Sequence, residues 1–263
     1  MEEKNLIWQK KFILITNIMT QSYDIVINGG RVMDPETGFD GIRNVGIRGD
    51  QIVEITTKSI NGKVAVNAKG LVVSPGFIDL HAHGQTNEAH EYQARDGVTT
   101  ALEMEGGVGF FREWVDSKEG KTIVNYGGTV PHGFLRAMAM DANQRISRRL
   151  QSQVQKNGLS LEGLSGFEKS FAAANYQPQS QKEEERTRRM MQNYLDAGAL
   201  GVGVPVGYYP GATAGEIFRV YQFAARQEVP IYTHTRGFGM PGLQEAMADA
   251  ATSGASVHLV HAN

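Results

Sequence analysis

The stretch Leu71-Val72-Val73-Ser74-Pro75-Gly76-Phe77-Ile78-Asp79-Leu80-His81-Ala82-His83-Gly84 separates two rhythms in the chain. Before it lie short runs of period two bounded by Gly, Asp and Asn. Asp24-Ile25-Val26-Ile27-Asn28 meets Gly29-Gly30, Val45-Gly46-Ile47-Arg48 meets the turn Gly49-Asp50, and Gln51-Ile52-Val53-Glu54-Ile55 follows. Such runs predict a small antiparallel unit, with Val64 to Val66 adding a strand. From Leu71 onward, apolar strands near 71–80, 98–105, 122–130, 199–206, 229–235 and 256–261 alternate with helical stretches, most clearly Glu183–Ala197 and Ala214–Arg226. That alternation argues for parallel βα units in an α/β fold. A (β/α)8 barrel takes eight units and typically ~250 residues. Six units fill 71–263, so the expected architecture is an incomplete (β/α)8, TIM-like barrel. An open six-stranded doubly wound sheet is the alternative.

Composition narrows the chemistry. The 263 residues are 41% hydrophobic and 21% charged, with a net charge of -2. That suits a well-buried globular chain and offers no basic field for nucleic acid or a membrane surface. There are no cysteines, so any metal must be held by His, Asp or Glu. Lys10, Lys11 and Phe12-Ile13-Leu14-Ile15 suggest a leader, but Thr16 and Asn17 break the apolar run and Glu2 and Glu3 oppose the positive start. Residues 1–22 are therefore read as an N-terminal extension, with Met19 an alternative start, and the protein as cytoplasmic. No run reaches the ~18 apolar residues of a membrane span. Segment 141–190, with Arg145, Arg148, Arg149 and Lys182-Glu183-Glu184-Glu185-Arg186, reads as a solvated helical excursion.

Four strand ends carry groups that bind metals. His81 and His83 follow an apolar run at i and i+2, so on a strand they share a face. At the C-terminal mouth of a barrel their imidazoles would converge as ligands for zinc or a similar ion. Asp79 shares that face and either orients a ligand or makes a polar contact at the strand end. In Gly97-Val98-Thr99-Thr100-Ala101-Leu102-Glu103-Met104-Glu105-Gly106-Gly107 two carboxylates end a strand suited to burial. Buried carboxylates are costly unless paired or metal-bound. Glu103 and Glu105 have the same parity, and Glu105, nearer the end, is the preferred ligand, bridging two ions. Ile231-Tyr232-Thr233-His234 ends in a third imidazole. In Val257-His258-Leu259-Val260-His261 the two histidines have opposite parity, and His261, nearer the end, is the one expected to face the mouth.

Pro75-Gly76-Phe77-Ile78-Asp79-Leu80-His81-Ala82-His83 resembles the first metal motif of the amidohydrolase superfamily, and the small β unit before it resembles the partial β-sandwich of those enzymes. Four further segments resemble the D-aminoacylase branch, the N-acyl-D-amino-acid deacylases: His132-Gly133-Phe134-Leu135-Arg136, Gly198-Ala199-Leu200-Gly201, Gly207-Tyr208-Tyr209-Pro210-Gly211 and Thr233-His234-Thr235-Arg236. The likeness covers nearly all of 23–263. It implies an extension (1–22), a partial sandwich (23–70) and a metal-dependent hydrolase barrel (71–263). It implies that His81, His83, His234 and His261 ligate one or two Zn2+ ions, and that Tyr208 and Arg236 bind a small N-acyl amino acid. It also implies a general-base aspartate beyond Asn263, and permits a homo-oligomer.

The chain departs from that pattern at Glu105, where the branch usually has a metal-binding cysteine, and at Asn263, near where it often has a lysine for the substrate carboxylate. The first departure leaves the number of ions open and the second the recognition of the carboxylate. The competing readings are a cyclic amide hydrolase of the dihydroorotase or hydantoinase kind, a deaminase, and an inactive truncated fragment or binding module.

Overall fold

The computed structural model describes residues 23–159, 171–237 and 239–262. The N-terminal extension, residues 160–170 of the polar excursion and Asn263 lie outside the described residues. The chain divides into two compact units, one ending at Pro75 and one beginning at Gly76.

The first unit is a five-stranded sheet of β1 (Tyr23–Asp34), β2 (Phe39–Arg48), β3 (Gln51–Thr56), β4 (Gly62–Asn67) and β5 (Val72–Val73). Its order is β3-β2-β1-β4, with β5 also on β1. The three runs read as an antiparallel unit are one, and Val64 to Val66 does add a strand, whose direction the sequence left open. β1–β2 and β2–β3 are antiparallel, but β4 and β5 both run parallel to β1. Period two reports which face a side chain takes, not the direction of its strand. After β3 the chain crosses back, held by Asn44 Nδ2 donating to Lys58 O and Tyr23 N–H donating to Asn61 O. It then runs along the free edge of β1 in the same direction. The apolar run Val72 to Leu80 is likewise two strands, with β5 on β1 and Phe77–Asp79 in the second unit. Pro75, without an N–H, separates them.

The second unit contains β6 (Phe77–Asp79), β7 (Val98–Glu103), β8 (Asn125–Gly128), β9 (Val130–Pro131), β10 (Val202–Pro205), β11 (Ile231–His234) and β12 (Val257–Val260). β6-β7-β8 form one parallel sheet and β9-β10-β11-β12 another. β8 and β9 are one stretch of chain interrupted at Thr129, which pairs with β7 on one side and β10 on the other. The result is six parallel positions in chain order, at the places where the sequence shows apolar runs. Helices lie between them, among others Asn87–Arg95, Phe111–Lys118, Gln181–Asp196, Ala214–Arg226 and Met240–Ser253. This is a mixed α/β fold. Its core packs Val130, Val202, Val204 and Ile231 of the strands against Val220, Phe223 and Ala224 of the 214–226 helix. These are β-branched residues in strands buried on both faces, as parallel sheets require.

Candidate metal centre

The site begins with the end of β7. After Glu103 the chain leaves the strand and turns through Met104 and Glu105. Thr129 Oγ1 donates to Met104 O at 2.9 Å, and Thr129 N–H donates to Glu103 O at 3.0 Å. Gly203 on β10 lies beneath this turn: a Cβ there would come within 2.3 Å of Glu105 O. Only glycine allows the strand and the turn to approach this closely. Glu105 is thereby fixed with 2% of its surface exposed.

Four imidazoles surround its carboxylate. Glu105 Oε2 lies 2.7 Å from His81 Nε2, 3.1 Å from His83 Nε2 and 3.8 Å from His261 Nε2. Oε1 lies 2.6 Å from His234 Nδ1. The Nε2 atoms of His81 and His83 are 2.8 Å apart, and the His261 ring packs 4.8 Å from that of His81 and 4.9 Å from that of His234. Ligand atoms of His81, Glu105 and His261 all lie within 4.8 Å of one another. Burial opposes ionisation of Glu105, but the bonds from His234 and His81 and their charges prevail and lower its pKa. Burial likewise opposes the His83 cation, yet the Glu103 bond and the charges of Glu103 and Glu105 raise its pKa overall. Imidazoles sharing one buried carboxylate are a donor set that suits a divalent cation such as zinc.

The other residues singled out in the sequence take varied places. Glu103 bonds His83 Nδ1 through Oε2 at 2.7 Å and accepts Gly106 N–H through Oε1 at 2.9 Å. Asp79 accepts the His81 backbone N–H at 2.9 Å, which is the strand-end contact. Tyr208 closes a short 3-10 turn directly after β10, is 61% exposed, and holds its ring 4.8 Å from that of His234. A Cβ on Gly207 would meet Thr235 O at 2.8 Å, so glycine lets this turn lie against the β11 end. The Arg236 guanidinium is engaged away from the imidazoles. It pairs with Glu245 at 2.9–3.1 Å and donates to Ala212 O at 2.7 Å, tying the loop that follows Tyr208 to the 240–253 helix. His258 packs against Tyr232 and not in the cluster.

Sequence reasoning missed a buried network on the helices. Arg136 pairs with Glu216 at 2.5 Å and donates to Ala174 O and Gln177 O. His132 Nδ1 bonds Tyr209 Oη at 2.9 Å. The signals for it were the family-like segment His132–Arg136 and the i, i+4 spacing of those two residues on one helix face.

No family model matches the sequence. An N-acyl-D-glutamate deacylase of Alcaligenes xylosoxydans xylosoxydans is 26% identical over 261 residues, covering 92% of this chain and 50% of that protein. The dihydroorotase of Streptococcus pneumoniae is 34% identical over 90 residues, 30% of this chain and 21% of that one. Among solved structures, the Bordetella bronchiseptica N-acyl-D-glutamate deacylase complexed with zinc and a phosphonate inhibitor superposes with a TM-score of 0.70 at 20% identity, covering 90% of this chain and 51% of that one. A D-aminoacylase superposes with a TM-score of 0.68 at 19% identity over the same shares. The chain thus spans about half the length of the two deacylases and the D-aminoacylase. The long match is to a deacylase and the solved structures share its fold, so the chain is similar to amidohydrolases in sequence and in fold. The likeness along nearly the whole chain is to the N-acyl-D-glutamate deacylase and the D-aminoacylase.

Proposed function

We propose that this chain forms the metal-binding part of a metal-dependent hydrolase that cleaves the amide bond of an N-acyl amino acid. The observation that carries the reading is the convergence of His81, His83, His234 and His261 on the two oxygens of Glu105. His81, His83, His234, His261 and Glu105 would hold the zinc, one ion or two. Bound there, the metal supplies a water of lowered pKa and polarises the scissile carbonyl. Tyr208, exposed over His234, would donate its hydroxyl to the oxygen that gains charge. Arg236 acts by fixing the loop that follows Tyr208.

Glu103 and Glu105 both have their oxygens committed to imidazoles or to backbone. A carboxylate that moves the proton to the leaving amine is therefore sought in an aspartate beyond Asn263. The six parallel strand positions are read as six units of a (β/α)8 barrel, residues 23–70 as part of a β-sandwich, and the protein as cytoplasmic. Among the described residues, no helix is long and apolar enough to cross a membrane. A second reading, a cyclic amide hydrolase, is favoured by the short dihydroorotase match. It is opposed by the longer match to the deacylase, which covers 92% of this chain.

Zinc content measured after metal loading and desalting tests the reading. The protein should retain one or two ions per chain, and the double variant His81→Ala/His83→Ala should lose at least one. Equal content in both would sink the assignment. Hydrolysis of N-acetyl-D-glutamate against dihydroorotate by a chain extended beyond Asn263 separates the two substrate classes.

A further inference from the structure

Glu103 ends β7 and Glu105 lies in the turn just after it, and the structure gives them different work. Glu105 presents both oxygens to imidazole nitrogens. Glu103 directs one oxygen at the far side of a single ring, His83 Nδ1 at 2.7 Å, and the other at the backbone N–H of Gly106 at 2.9 Å. With 6% of its surface exposed, it has little room to swing toward the remaining imidazoles. Its backbone is held as firmly. Residue 103 forms an isolated bridge with His81, Thr129 N–H donates to its carbonyl, and Ala82 N–H donates to Leu102 O beside it. His83, by contrast, has a side chain 59% exposed. Glu103 holds the Nδ1 edge of its ring while Nε2 meets Glu105 and His81, and an imidazole on an exposed loop without such a hold turns about χ2.

We infer that Glu103 is a positioning residue. It binds His83 Nδ1 so that Nε2 carries the lone pair and faces Glu105 and the metal. A carboxylate that accepts Nδ1–H fixes both the tautomer and the ring orientation of a ligating histidine, and raises its basicity as a ligand. The inference rests on the cluster being a metal centre, and it moves Glu103 from the ligand set to the group that aims one ligand.

Zinc affinity, measured in the full chain by competition with a chromophoric chelator, tests this together with the visible spectrum of the cobalt-substituted protein. Glu103→Gln should keep the wild-type number of ions per chain, bind them about 10- to 100-fold more weakly, and shift the cobalt spectrum. In a His83→Ala background, Glu103→Gln should add no further loss of affinity, because the ring it acts on is gone. A purely structural role would add its loss in both backgrounds. A Glu103→Gln protein that loses an ion outright, as Glu105→Gln is expected to, would make Glu103 a ligand and overturn the inference. Wild-type affinity and an unchanged spectrum would overturn it too. A wild-type chain that binds no zinc would instead refute the metal centre itself, so the two failures are told apart.

Discussion

Six of the seven histidines, all but His258, fall into two regions with opposite surroundings. His81, His83, His234 and His261 stand at or just beyond strand ends around one carboxylate, with side chains 10–59% exposed. His90 and His132 lie on helices, 0% and 1% exposed, each held by neutral partners. Thr122 Oγ1 bonds His90 Nδ1 at 2.6 Å and Gln85 Oε1 accepts from Nε2 at 3.3 Å, while Tyr209 bonds His132. Burial first, then the nearby Lys118 charge, lowers the His90 pKa to about 4; burial, then Arg136, lowers that of His132 to about 3. The same side chain thus gathers on a carboxylate in one region and is a neutral part of the core in the other. The difference lies first in burial, and then in whether a carboxylate is there to offset it.

The largest effect should come from the helical region. Arg136→Leu strands Glu216, 2% exposed, without its cation. Breaking one half of a buried pair costs about 3–5 kcal/mol, whereas His81→Ala, at a part-exposed strand end, should cost less than about 1 kcal/mol. Urea titrations of the two variants without metal make the contrast direct. Equal losses would mean that the cluster, too, is part of the stability core.

A smaller effect separates the regions by pH. His90 and His132 are neutral when folded, but in the unfolded chain they take up protons near pH 6.5. Their contribution is therefore whole above about pH 6.5 and is lost as pH falls, down to about pH 4 for His90 and about pH 3 for His132. In metal-free protein His83, whose pKa is raised, has the opposite sign: its contribution is whole below its unfolded value and is lost as pH rises through the folded one. His90→Gln should flatten the fall in stability between pH 6 and 4, and His83→Gln should not. Unfolding midpoints at pH 7, 5 and 4 decide it, and parallel curves for wild type and His90→Gln would contradict the assignment.

Much of this division was legible in the sequence, for particular reasons. Apolar runs that end in His or Glu gave the six strand positions and the cluster members, because period and position suffice for those. The direction of β4 was not legible, since alternation carries no sign. Nor were the separate roles of Glu103 and Glu105, which share parity and differ only in what their oxygens meet across the turn. The partner of Arg236, Glu245, lies on the next helix nine residues on, and local pattern could not separate a strut to a helix from a ligand for substrate. The likeness at His132–Arg136 marked a segment without saying that its charge would be matched by Glu216, 80 residues away.

The smallest effect concerns the choice between His258 and His261. Parity favoured one over the other and depth favoured His261. His261 does reach the cluster, but not by parity: β12 ends at Val260, and His261 follows it with φ +56°. That left-handed conformation costs a non-glycine residue roughly 1–2 kcal/mol, a local strain of the kind that gathers at functional sites. Replacing His261 by Gly removes the strain and the imidazole together. The two consequences have opposite signs: stability should hold or rise by up to about 1 kcal/mol, while zinc affinity falls. His258→Ala, at an exposed position against Tyr232, should leave zinc affinity unchanged and stability within about 0.5 kcal/mol. If His261→Gly loses stability and keeps zinc, the turn is structural and His261 is no part of the centre. If His258→Ala is the variant that loses zinc, the wrong histidine of β12 has been assigned to the mouth.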